Sequence, residues 1–484
     1  MKNIVILGAG LGGLTAGAML AKMGHKVTLL EQHNIVGGSA TTFKRRGGFT
    51  VEVGLHEMDD PFDETKQEIF NFLNIYEHVE FVQAKELFKV KTSNGTFVMP
   101  EGIDAAKKAL KAYFDDAKGI DAYFTLISEI AHDYVRLQSI TWWQKLLFPF
   151  AFRTLFKNRN KSLKEVLDTL MDNEELKLVL STNIKYYHDS TKDFSILYHA
   201  LAQYSYYNGG GWYIKGGSQK LSNHLASVIT DHGGEIITKA YVNKIEHKAK
   251  KVTGVSYKKK GETYRVEADV VVSNASPMQT YEMADVDYEN TKTLGISLYT
   301  LYLGFSKNIK TVYGAGAYST FDFSELDSLD AYENSLSQPI EKRTKVFVDY
   351  SQVDSGLTDE EKSLGVICGG DNIKDWQGLD DEAYKTKKKA VTKVLIANLE
   401  KGYPGISELI EYAELATAKT VKRYLQTPVG TAYGFAPTAS QFFRPPESTS
   451  DKFDNLFFVG AWVIGGGFTP AIISGAIVAR LFKP

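Results

Sequence analysis

Three glycines near the amino terminus have the spacing of a dinucleotide-binding loop. Gly8, Gly10 and Gly13 form a G-x-G-x-x-G pattern between a short apolar run and a helix-like run. The first glycine permits a tight turn, the second lets the backbone approach a pyrophosphate, and the third packs the helix against the sheet. The amino terminus of the helix then offers free N–H groups to the phosphates. Leu11 and Gly12 belong to the same loop, and we expect them to contact the cofactor too.

An acidic residue ends the next predicted strand. Glu31 follows the first glycine by 23 residues, where a carboxylate can hold the hydroxyl pair of a ribose, and Gln32 stands beside it. A strand before the loop, a helix after it and an acid at this distance together predict a dinucleotide-binding fold.

A second glycine pair indicates which dinucleotide is bound. Gly37, Gly38 and Ser39 come directly after the acidic strand, and the hairpin-like stretch "FKRRGGFTVEVG" follows. Simple nicotinamide-dependent dehydrogenases continue with a helix at this point. Flavoproteins use such a glycine pair to extend the binding site toward the flavin, so the pattern favours FAD.

Several stretches resemble the family of phytoene desaturases, carotenoid isomerases and retinol saturases. The motif wording is closest to the retinol saturase branch. The stretches are "LEQH…GG…TF…GF…VGLH", the block 209–257, "ADVVVSNASP" (268–277), "TPVGTAYGF" (427–435) and "NLFFVGAWVIGGGFTPAIISGAIVARL" (455–481). The residues 100–200 and 310–400 match only in general character.

The resemblance implies cofactor contacts in the middle and closing blocks. Val242 would hold the adenine end of FAD through its backbone, and Asn274 would also contact the cofactor. By the same resemblance, Gly460 and Ala461 would lie by the phosphates and the ribityl chain. Near the flavin ring, at the start of the last helix, it places Phe468, Thr469 and Pro470. No Cys or His stands in a motif for covalent attachment, so we expect FAD to be held non-covalently.

One residue is a candidate for catalysis. His56 ends the hairpin that should run beneath the flavin. A neutral imidazole there can donate a proton to a polyene carbon as hydride arrives, or can orient the ring. The alternative is a histidine bonded to the backbone that fixes the loop. The ten histidines and the lone Cys368 show no metal-ligand spacing.

The stretch 134–164 combines aromatic residues with positive charges. It contains no acid and seven cations: Arg136, Lys145, Arg153, Lys157, Arg159, Lys161 and Lys164. Apolar residues recur at helical spacing, and a proline should kink or end that helix: Trp142, Trp143, Leu146, Leu147, Pro149 and Phe150. This composition is typical of a helix that lies on a membrane surface. A helix packed over a substrate tunnel is the alternative.

The composition of the chain narrows the functions and cellular locations that remain possible. A net charge of −2 gives no support to nucleic-acid binding. A single cysteine excludes an internal disulfide and fits a reducing compartment. The uncharged run 455–479 is interrupted by "GGGFTP", which favours a buried strand, turn and helix over a membrane span. We expect a cytoplasmic protein that is peripherally associated with a membrane.

The sequence therefore predicts an α/β fold with two domains. A Rossmann-type FAD-binding domain is assembled from the discontinuous segments 1–75, 205–290 and 415–484. An α+β substrate domain with a helical, membrane-facing insert comes from 76–204 and 291–414. The resemblance implies FAD-dependent oxidation, reduction or isomerisation at carbon–carbon double bonds of a conjugated isoprenoid lipid, with an unidentified electron donor or acceptor. A flavin amine oxidase and a non-catalytic flavoprotein that binds lipid are the alternatives.

Overall fold

The computed structural model describes residues 1–54, 56–137, 148–442 and 448–483. The strands of these ranges, in chain order, are β1 Asn3–Leu7, β2 Lys26–Glu31, β3 Thr42–Arg45, β4 Phe49–Glu52, β5 Met58–Asp59, β6 Phe81–Gln83, β7 Glu86–Lys91, β8 Thr96–Pro100, β9 Gly211–Ile214, β10 Glu235–Thr238, β11 Tyr241–Lys248, β12 Lys251–Lys259, β13 Glu262–Glu267, β14 Val270–Ser273, β15 Ser297–Phe305, β16 Ser319–Asp322, β17 Lys345–Asp349, β18 Ser363–Asp371, β19 Ile410–Ala416 and β20 Leu456–Phe458.

The helices of the same ranges are α1 Leu11–Lys22, α2 Glu64–Phe72, α3 Ile103–Tyr113, α4 Ala117–Leu137, α5 Phe148–Ala151, α6 Arg153–Asn158, α7 Leu163–Leu170, α8 Glu174–Leu180, α9 Ile196–Gly209, α10 Gln219–Asp231, α11 Pro277–Met283, α12 Ile309–Tyr313, α13 Leu329–Glu333, α14 Asp381–Gly402, α15 Ala418–Leu425 and α16 Phe468–Arg480.

A five-stranded parallel sheet carries the first glycine loop. Its strand order is β10-β2-β1-β14-β20. Ile4 pairs with Val270, and Val271 pairs with Leu456, so neighbouring strands come from distant parts of the chain. All four residues of β14 are buried, as expected for a central parallel strand that is covered on both faces. The predicted α/β fold is confirmed.

Two helices of this domain, α1 and α16, approach each other very closely, and so does the loop before α1. A Cβ atom on Gly475 of α16 would lie 2.4 Å from the carbonyl oxygen of Gly12 in α1, and one on Gly13 would lie 2.2 Å from the carbonyl oxygen of Gly8. Side chains do not tolerate such contacts, because interiors are packed at van der Waals distance. Glycine at these positions brings α1, α16 and the loop before α1 together.

A second sheet has seven strands in the order β19-β15-β18-β17-β16-β7-β8. One of its faces, with Tyr302 and Cys368, joins the central core, and the other, with Ile367, packs against Leu395 of α14. The strands predicted from "LYTLYLGF", "KVFVDYS" and "GVICGG" are β15, β17 and β18. The helix predicted near 380–401 is α14.

Smaller elements complete the fold. The predicted hairpin is the β3–β4 pair, and β5 and β6 flank β9 in a three-stranded sheet. The uncharged run 455–479 forms β20 and the helix α16, so the predicted strand, turn and helix are confirmed. Within the described ranges, no helix is long and apolar enough to cross a membrane.

The aromatic and basic stretch is described only in part. Helix α4 ends at Leu137, and α5 contains Pro149 and ends two residues after it. The predicted helix around Trp142, Trp143, Leu146 and Leu147 lies outside the described residues, as does Lys145.

Candidate functional site

A cavity of about 610 Å³ lies at the carboxyl-terminal edge of the parallel sheet. The predicted cofactor residues that line it are Gly8, Gly10, Leu11, Gly12, Glu31, Gln32, Gly37, Gly38, Ser39, Val242, Asn274, Gly460, Ala461 and Phe468. Gly13, Thr469, Pro470 and the predicted catalytic residue His56 are outside the lining. The edge of a parallel sheet at which its strands end is the usual ligand position in such folds.

The two glycine loops contact each other in the floor of this cavity. The amide of Gly37 donates a 2.8 Å hydrogen bond to the carbonyl of Ala9, and a Cβ atom on Gly38 would lie 3.2 Å from Cα of Gly10. Gly8 and Gly37 have φ values of 90° and 123°, a region that side chains disfavour. The bare backbone is thereby exposed to the cavity, where N–H groups can reach phosphate oxygens.

Glu31 is held in place by the backbone on both of its oxygens. Oε2 accepts a hydrogen bond from the amide of Ala9, and Oε1 accepts one from the amide of His33, both at 2.8 Å. Each carboxylate oxygen has a second lone pair, so hydroxyl groups of a ribose can still bind. Glu31 ends β2 and is buried in the rim of the cavity.

The neighbours of Glu31 close the same end of the cavity. The Gln32 amide donates to the carbonyl of Tyr424 at 3.2 Å, and Nε2 of His33 lies 2.7 Å from that carbonyl oxygen. Tyr424 ends α15 together with Leu425, and both line the cavity. Sequence analysis missed Tyr424, because no local pattern shows that α15 returns to the end of β2.

Asn274 lies between the two loops that bound the middle of the cavity. A Cβ atom on Gly10 would lie 2.5 Å from its Nδ2, and one on Gly12 would lie 2.8 Å from its Oδ1. The Oδ1 atom is buried and has no hydrogen-bond partner among the described residues. A buried acceptor without a donor is costly unless a ligand satisfies it. With the bare glycine loops, this atom fits a dinucleotide that carries donor hydroxyls.

The amino terminus of α16 forms the far end of the cavity. The helix begins at Phe468 after Gly467, whose φ is 107°, and no side chain caps its first turn. Its free N–H groups and its dipole therefore favour an electron-rich group in front of them. The amide of Gly460 donates a 2.7 Å hydrogen bond to Ser474 of α16, so the adjoining loop moves with this helix.

Thr469 has a partner inside the protein. Its hydroxyl donates a 2.5 Å hydrogen bond to Oδ1 of Asp59, while Oδ2 accepts from Lys66 at 2.9 Å and from Ser205 at 2.7 Å. The Lys66 side chain is fully buried and also pairs with Asp63. Burial acts to raise the pKa of Asp59, but the Lys66 charge and the hydrogen bonds from Thr469, Lys66 and Ser205 together hold that pKa below its ordinary value. Asp59 is therefore an anion that anchors α16.

A group of buried and half-buried tyrosines lies beside the turn that precedes α16. We call Tyr186, Tyr187, Tyr198, Tyr206 and Tyr433 the tyrosine cluster. The rings of Tyr187 and Tyr198 are 5.6 Å apart, and the Tyr198 hydroxyl donates to the carbonyl of Gly466 at 3.3 Å. A Cβ atom on Gly466 would lie 2.3 Å from the Tyr433 ring. Aromatic side chains therefore surround the segment that leads into Phe468.

The predicted catalytic residue lies beside this cluster. The His56 ring is 6.2 Å from the Tyr186 ring, and the backbone carbonyl of His56 accepts a hydrogen bond from Tyr318. Its Nδ1 is buried and has no partner in the part of the chain that the structure describes. Burial lowers the pKa of His56 to about 4, so the imidazole is neutral at neutral pH.

Glu57 follows His56 and has a buried carboxylate. Both carboxylate oxygens of Glu57 are buried, and neither has a hydrogen-bond partner among the described residues. Burial raises the pKa of Glu57 to about 8. A carboxyl group in this setting is a candidate acid or base, and only the tertiary structure reveals it.

Two glycine loops, an acid at the end of the second strand and a helix amino terminus that faces the same cavity define a flavin-binding oxidoreductase. The family model described as flavin containing amine oxidoreductase matches residues 11–481, and the chain belongs to this family. The flavin-dependent oxidoreductase class expected from the sequence is thus confirmed.

Relatives with assigned names cover nearly the whole chain. All-trans-retinol 13,14-reductase from Danio rerio is 26% identical over 98% of this chain and 86% of its own length. The 4,4'-diaponeurosporene oxygenase of Staphylococcus aureus strain MW2 is 26% identical over 99% of this chain and 97% of its own. These relatives confirm the resemblance that the sequence motifs indicated.

A solved structure shows the same fold. Wild-type putrescine oxidase bound to putrescine superposes with a TM-score of 0.65, covering 99% of this chain and 98% of the oxidase. The two sequences are 16% identical, so the likeness concerns the fold alone.

Proposed function

We propose that the protein binds FAD non-covalently and uses it to oxidise, reduce or isomerise carbon–carbon double bonds of a conjugated isoprenoid lipid. The observation that carries this proposal is the tyrosine cluster packed against the turn before α16. The two relatives support it, because one is named as a reductase of all-trans-retinol and the other as an oxygenase of 4,4'-diaponeurosporene. The electron donor or acceptor is a partner still to be found.

The cavity supports FAD as the bound flavin. We assign its adenosine to Glu31 and Val242, and its phosphates to the glycine loops with Asn274. We assign its ribityl chain to Gly460 and Ala461. We assign the flavin ring to the first turn of α16, where Phe468 lines the cavity. In this assignment Thr469 and Pro470 act by shaping that turn, since the Thr469 hydroxyl is bonded to Asp59.

Non-covalent attachment is supported by the side chains at hand. His33 is the one histidine among the described residues that line the cavity, and its Nε2 lies 2.7 Å from the Tyr424 carbonyl. Cys368 is buried in β18, outside the lining, where burial raises the pKa of its thiol to about 11. A thiol in that state is a weak nucleophile.

The tyrosine cluster suits a flat, apolar substrate. Bound flavin supplies hydride or electrons, and the protein has to orient the substrate and exclude water. The described ring contacts of Tyr187, Tyr198 and Phe194 lie between 5.6 and 6.3 Å, which gives a continuous aromatic surface. Aromatic rings arranged in this way can pack on the flat face of a polyene.

We further propose that the stretch 134–164 contacts a membrane and delivers the lipid. Val135 is 63% exposed and Phe150 is 83% exposed, on either side of the residues outside the description. Among the described cations of this stretch, three are engaged within the protein: Arg136 pairs with Asp133 at 3.1 Å, Lys164 pairs with Asp168 at 2.8 Å, and Arg159 donates a 2.6 Å hydrogen bond to the carbonyl of Phe156. The proposal therefore relies on Phe150 and on the other cations. A cytoplasmic, peripherally bound protein is the location that it implies.

The membrane proposal is tested by flotation with vesicles of anionic and of neutral phospholipid. We expect the wild type to float with anionic vesicles and F150S to remain at the bottom. V98S, which alters an apolar side chain on β8 that is 44% exposed, is the matched control. Equal flotation of F150S and wild type contradicts the proposed contact.

The proposed division into domains follows the sheets. All five strands of the parallel sheet fall within 1–75, 205–290 and 415–484, the segments assigned to FAD. The seven-stranded sheet is built mainly from 76–204 and 291–414, the segments assigned to the substrate. Only the carboxyl end of β19, at Leu415 and Ala416, passes the proposed boundary.

The function is tested by a flavin half-reaction under anaerobic conditions. The flavin is reduced, all-trans-retinol or a longer carotenoid is added in detergent micelles, and the absorption spectrum is followed. Flavin reoxidation together with loss of the long-wavelength polyene band is the expected result for reduction. Oxidised flavin with the corresponding saturated lipids tests the opposite direction, and a change of polyene isomer tests isomerisation.

Parallel assays test the two alternative functions, a flavin amine oxidase and a non-catalytic protein that binds lipid. Putrescine and cyclohexylamine are offered to the oxidised enzyme, and hydrogen peroxide is measured. Peroxide released from an amine, with every polyene unchanged, would identify an amine oxidase and overturn the proposal. Binding of polyene with no redox or isomer change in any direction would indicate a non-catalytic lipid carrier.

A further inference from the structure

The structure assigns the proton transfer of this reaction to Glu57, whose carboxylate lies beside the tyrosine cluster and next to the strand that anchors α16, with no hydrogen-bond partner for either oxygen in the described part of the chain. This inference rests on the proposed function and adds a catalytic residue to it. His56, the residue expected from the sequence, becomes a neighbour that shapes the pocket.

Glu57 directly precedes β5 and stands two residues before Asp59. Residues two apart on an extended chain point to the same side, so Glu57 and Asp59 share a face. Asp59 uses that face to bind Thr469 in the first turn of α16. Glu57 therefore points to the side on which the flavin ring is assigned.

A glycine on the adjacent strand makes room for the carboxylate. Asp59 pairs with Gly211 at the start of β9. A Cβ atom on Gly211 would lie 2.9 Å from Oε2 of Glu57, so any larger residue there would press on this oxygen. The carboxylate thus has a defined place over β9.

The groups around Glu57 disfavour its charge. The titratable groups that face it are His56 from its own loop, Asp59 from β5, Tyr186 and Tyr187 from the turn after α8, Tyr206 from α9, and Tyr318 before β16. Burial raises the pKa of Tyr186, Tyr187 and Tyr206 well above the ordinary value, and the Glu57 charge adds to this rise.

No positive charge offsets Glu57 in the described surroundings. The buried cation near this strand, Lys66 of α2, is paired with Asp59 and Asp63. Burial without a counter-charge keeps a carboxyl group protonated at neutral pH. A carboxylic acid whose pKa is about 8 releases a proton far more readily than the neutral imidazole of His56.

The chemistry balances in either direction. In reduction, a hydride from reduced flavin forms a C–H bond at one alkene carbon, and the π electrons shift to the other carbon. The O–H bond of Glu57 breaks as its proton forms the second C–H bond. The alkene gains two electrons, the flavin loses them, and the carboxylate regains a proton from solvent. In oxidation, the Glu57 carboxylate would take a proton from one carbon, oxidised flavin would accept hydride from the next, and the electrons of the broken C–H bond would form the double bond.

A spectroscopic test needs no substrate. Protein labelled with ¹³C-glutamate is prepared with and without flavin, and its infrared spectrum is recorded between pH 6 and pH 10. We expect a carbonyl band of a protonated carboxylic acid that disappears above about pH 8 and is missing from E57Q. A spectrum of wild type without such a band at pH 6 overturns the inference even before a substrate is found.

The kinetic test uses the half-reaction with polyene. We expect E57Q to slow flavin reoxidation by 10²- to 10⁴-fold, the usual share of general acid catalysis. H56Q should lose less than tenfold. E289Q, the same change on an exposed glutamate, should react like the wild type. In the wild type the reductive rate should fall as pH rises through about 8, and this fall should be absent from E57Q.

The outcomes separate the two proposals. A wild type that leaves every polyene unchanged defeats the proposed function. A wild type that reacts, with E57Q equally fast and with the same pH profile, defeats the assignment of Glu57 alone. If E57Q binds no flavin, E57D replaces it, since a shortened acid keeps the proton and should recover part of the rate.

Discussion

The hydroxyl of Thr469 donates a 2.5 Å hydrogen bond to Asp59, although the two residues are 410 positions apart in the chain. This bond ties the first turn of α16 to β5, and Lys66 holds Asp59 from the other side. The helix end that we assign to the flavin ring is therefore positioned by a buried ion pair from the amino-terminal part of the chain.

Removal of the Asp59 charge should loosen this anchor. D59N leaves the buried Lys66 with Asp63 alone, and we expect a loss of about 3 kcal/mol in the free energy of unfolding. T469V removes one hydrogen bond and should cost about 1 kcal/mol. Urea unfolding of D59N, T469V and the double variant measures these losses in the free energy of unfolding. Strictly additive effects would argue against a shared anchor.

Glu31 should select for the adenosine part of the cofactor. E31Q removes the charge that binds ribose hydroxyls, and charge-assisted hydrogen bonds of this kind contribute about 1.5–3 kcal/mol. We expect the Kd of FAD to rise roughly 10- to 100-fold. The weaker affinity for FMN, which lacks adenosine, should not change.

Flavin fluorescence titration provides both dissociation constants. E282Q alters an exposed carboxylate in the same cavity lining and is the matched control. If E31Q weakens the binding of FAD and of FMN equally, the mutation disturbs the fold of the loop and does not act on ribose binding.

Gly12 should tolerate no side chain at all. The Cβ atom of G12A would lie 2.5 Å from the amide nitrogen of Gly460, so the two loops must separate. We expect destabilisation by about 1–3 kcal/mol together with loss of flavin binding. G316A, at a position with open space, should leave both properties intact. Thermal unfolding and flavin content of the purified proteins give the result.

Glu57 should make the stability of the fold depend on pH. Its pKa is about 8 in the folded protein against an ordinary value of 4.5, so the folded state binds the proton more tightly. The favourable contribution is complete below pH 4.5 and is lost as pH rises through about 8. Relative to the wild type, E57Q should gain roughly 2 kcal/mol between pH 6 and pH 9. Urea unfolding of both proteins at pH 6 and pH 9 measures this change. If the free energies of unfolding of E57Q and the wild type differ by the same amount at both pH values, Glu57 does not carry a buried proton.

The features that the sequence predicted are those with local determinants. The G-x-G-x-x-G loop, the β3–β4 hairpin and the strand, turn and helix of 455–481 each depend on neighbouring residues, whose spacing is visible in the chain. The place of Thr469 near the flavin ring is implied by the resemblance of this block, which gives no sign that Asp59 binds the Thr469 hydroxyl.

Features that depend on distant contacts were not predictable in this way. The oxygen of Asn274 that has no partner among the described residues, the hydrogen bond of Thr469 to Asp59 and the burial of Glu57 all arise when separate segments meet. A single glutamate after a histidine carries no sign of its own burial. The aromatic helix predicted around Trp142 lies outside the described residues and stays a prediction.

The strand order of the parallel sheet has a consequence for how the protein is made. On the ribosome, β1 and the first glycine loop emerge early, but β20 and α16 emerge only after about 450 further residues. Chains fold from the amino terminus during synthesis, and contacts of such long range form late. The nascent chain therefore exposes an unfinished sheet edge for most of its synthesis. Capture of the flavin marks the moment at which a newly made molecule has closed that edge.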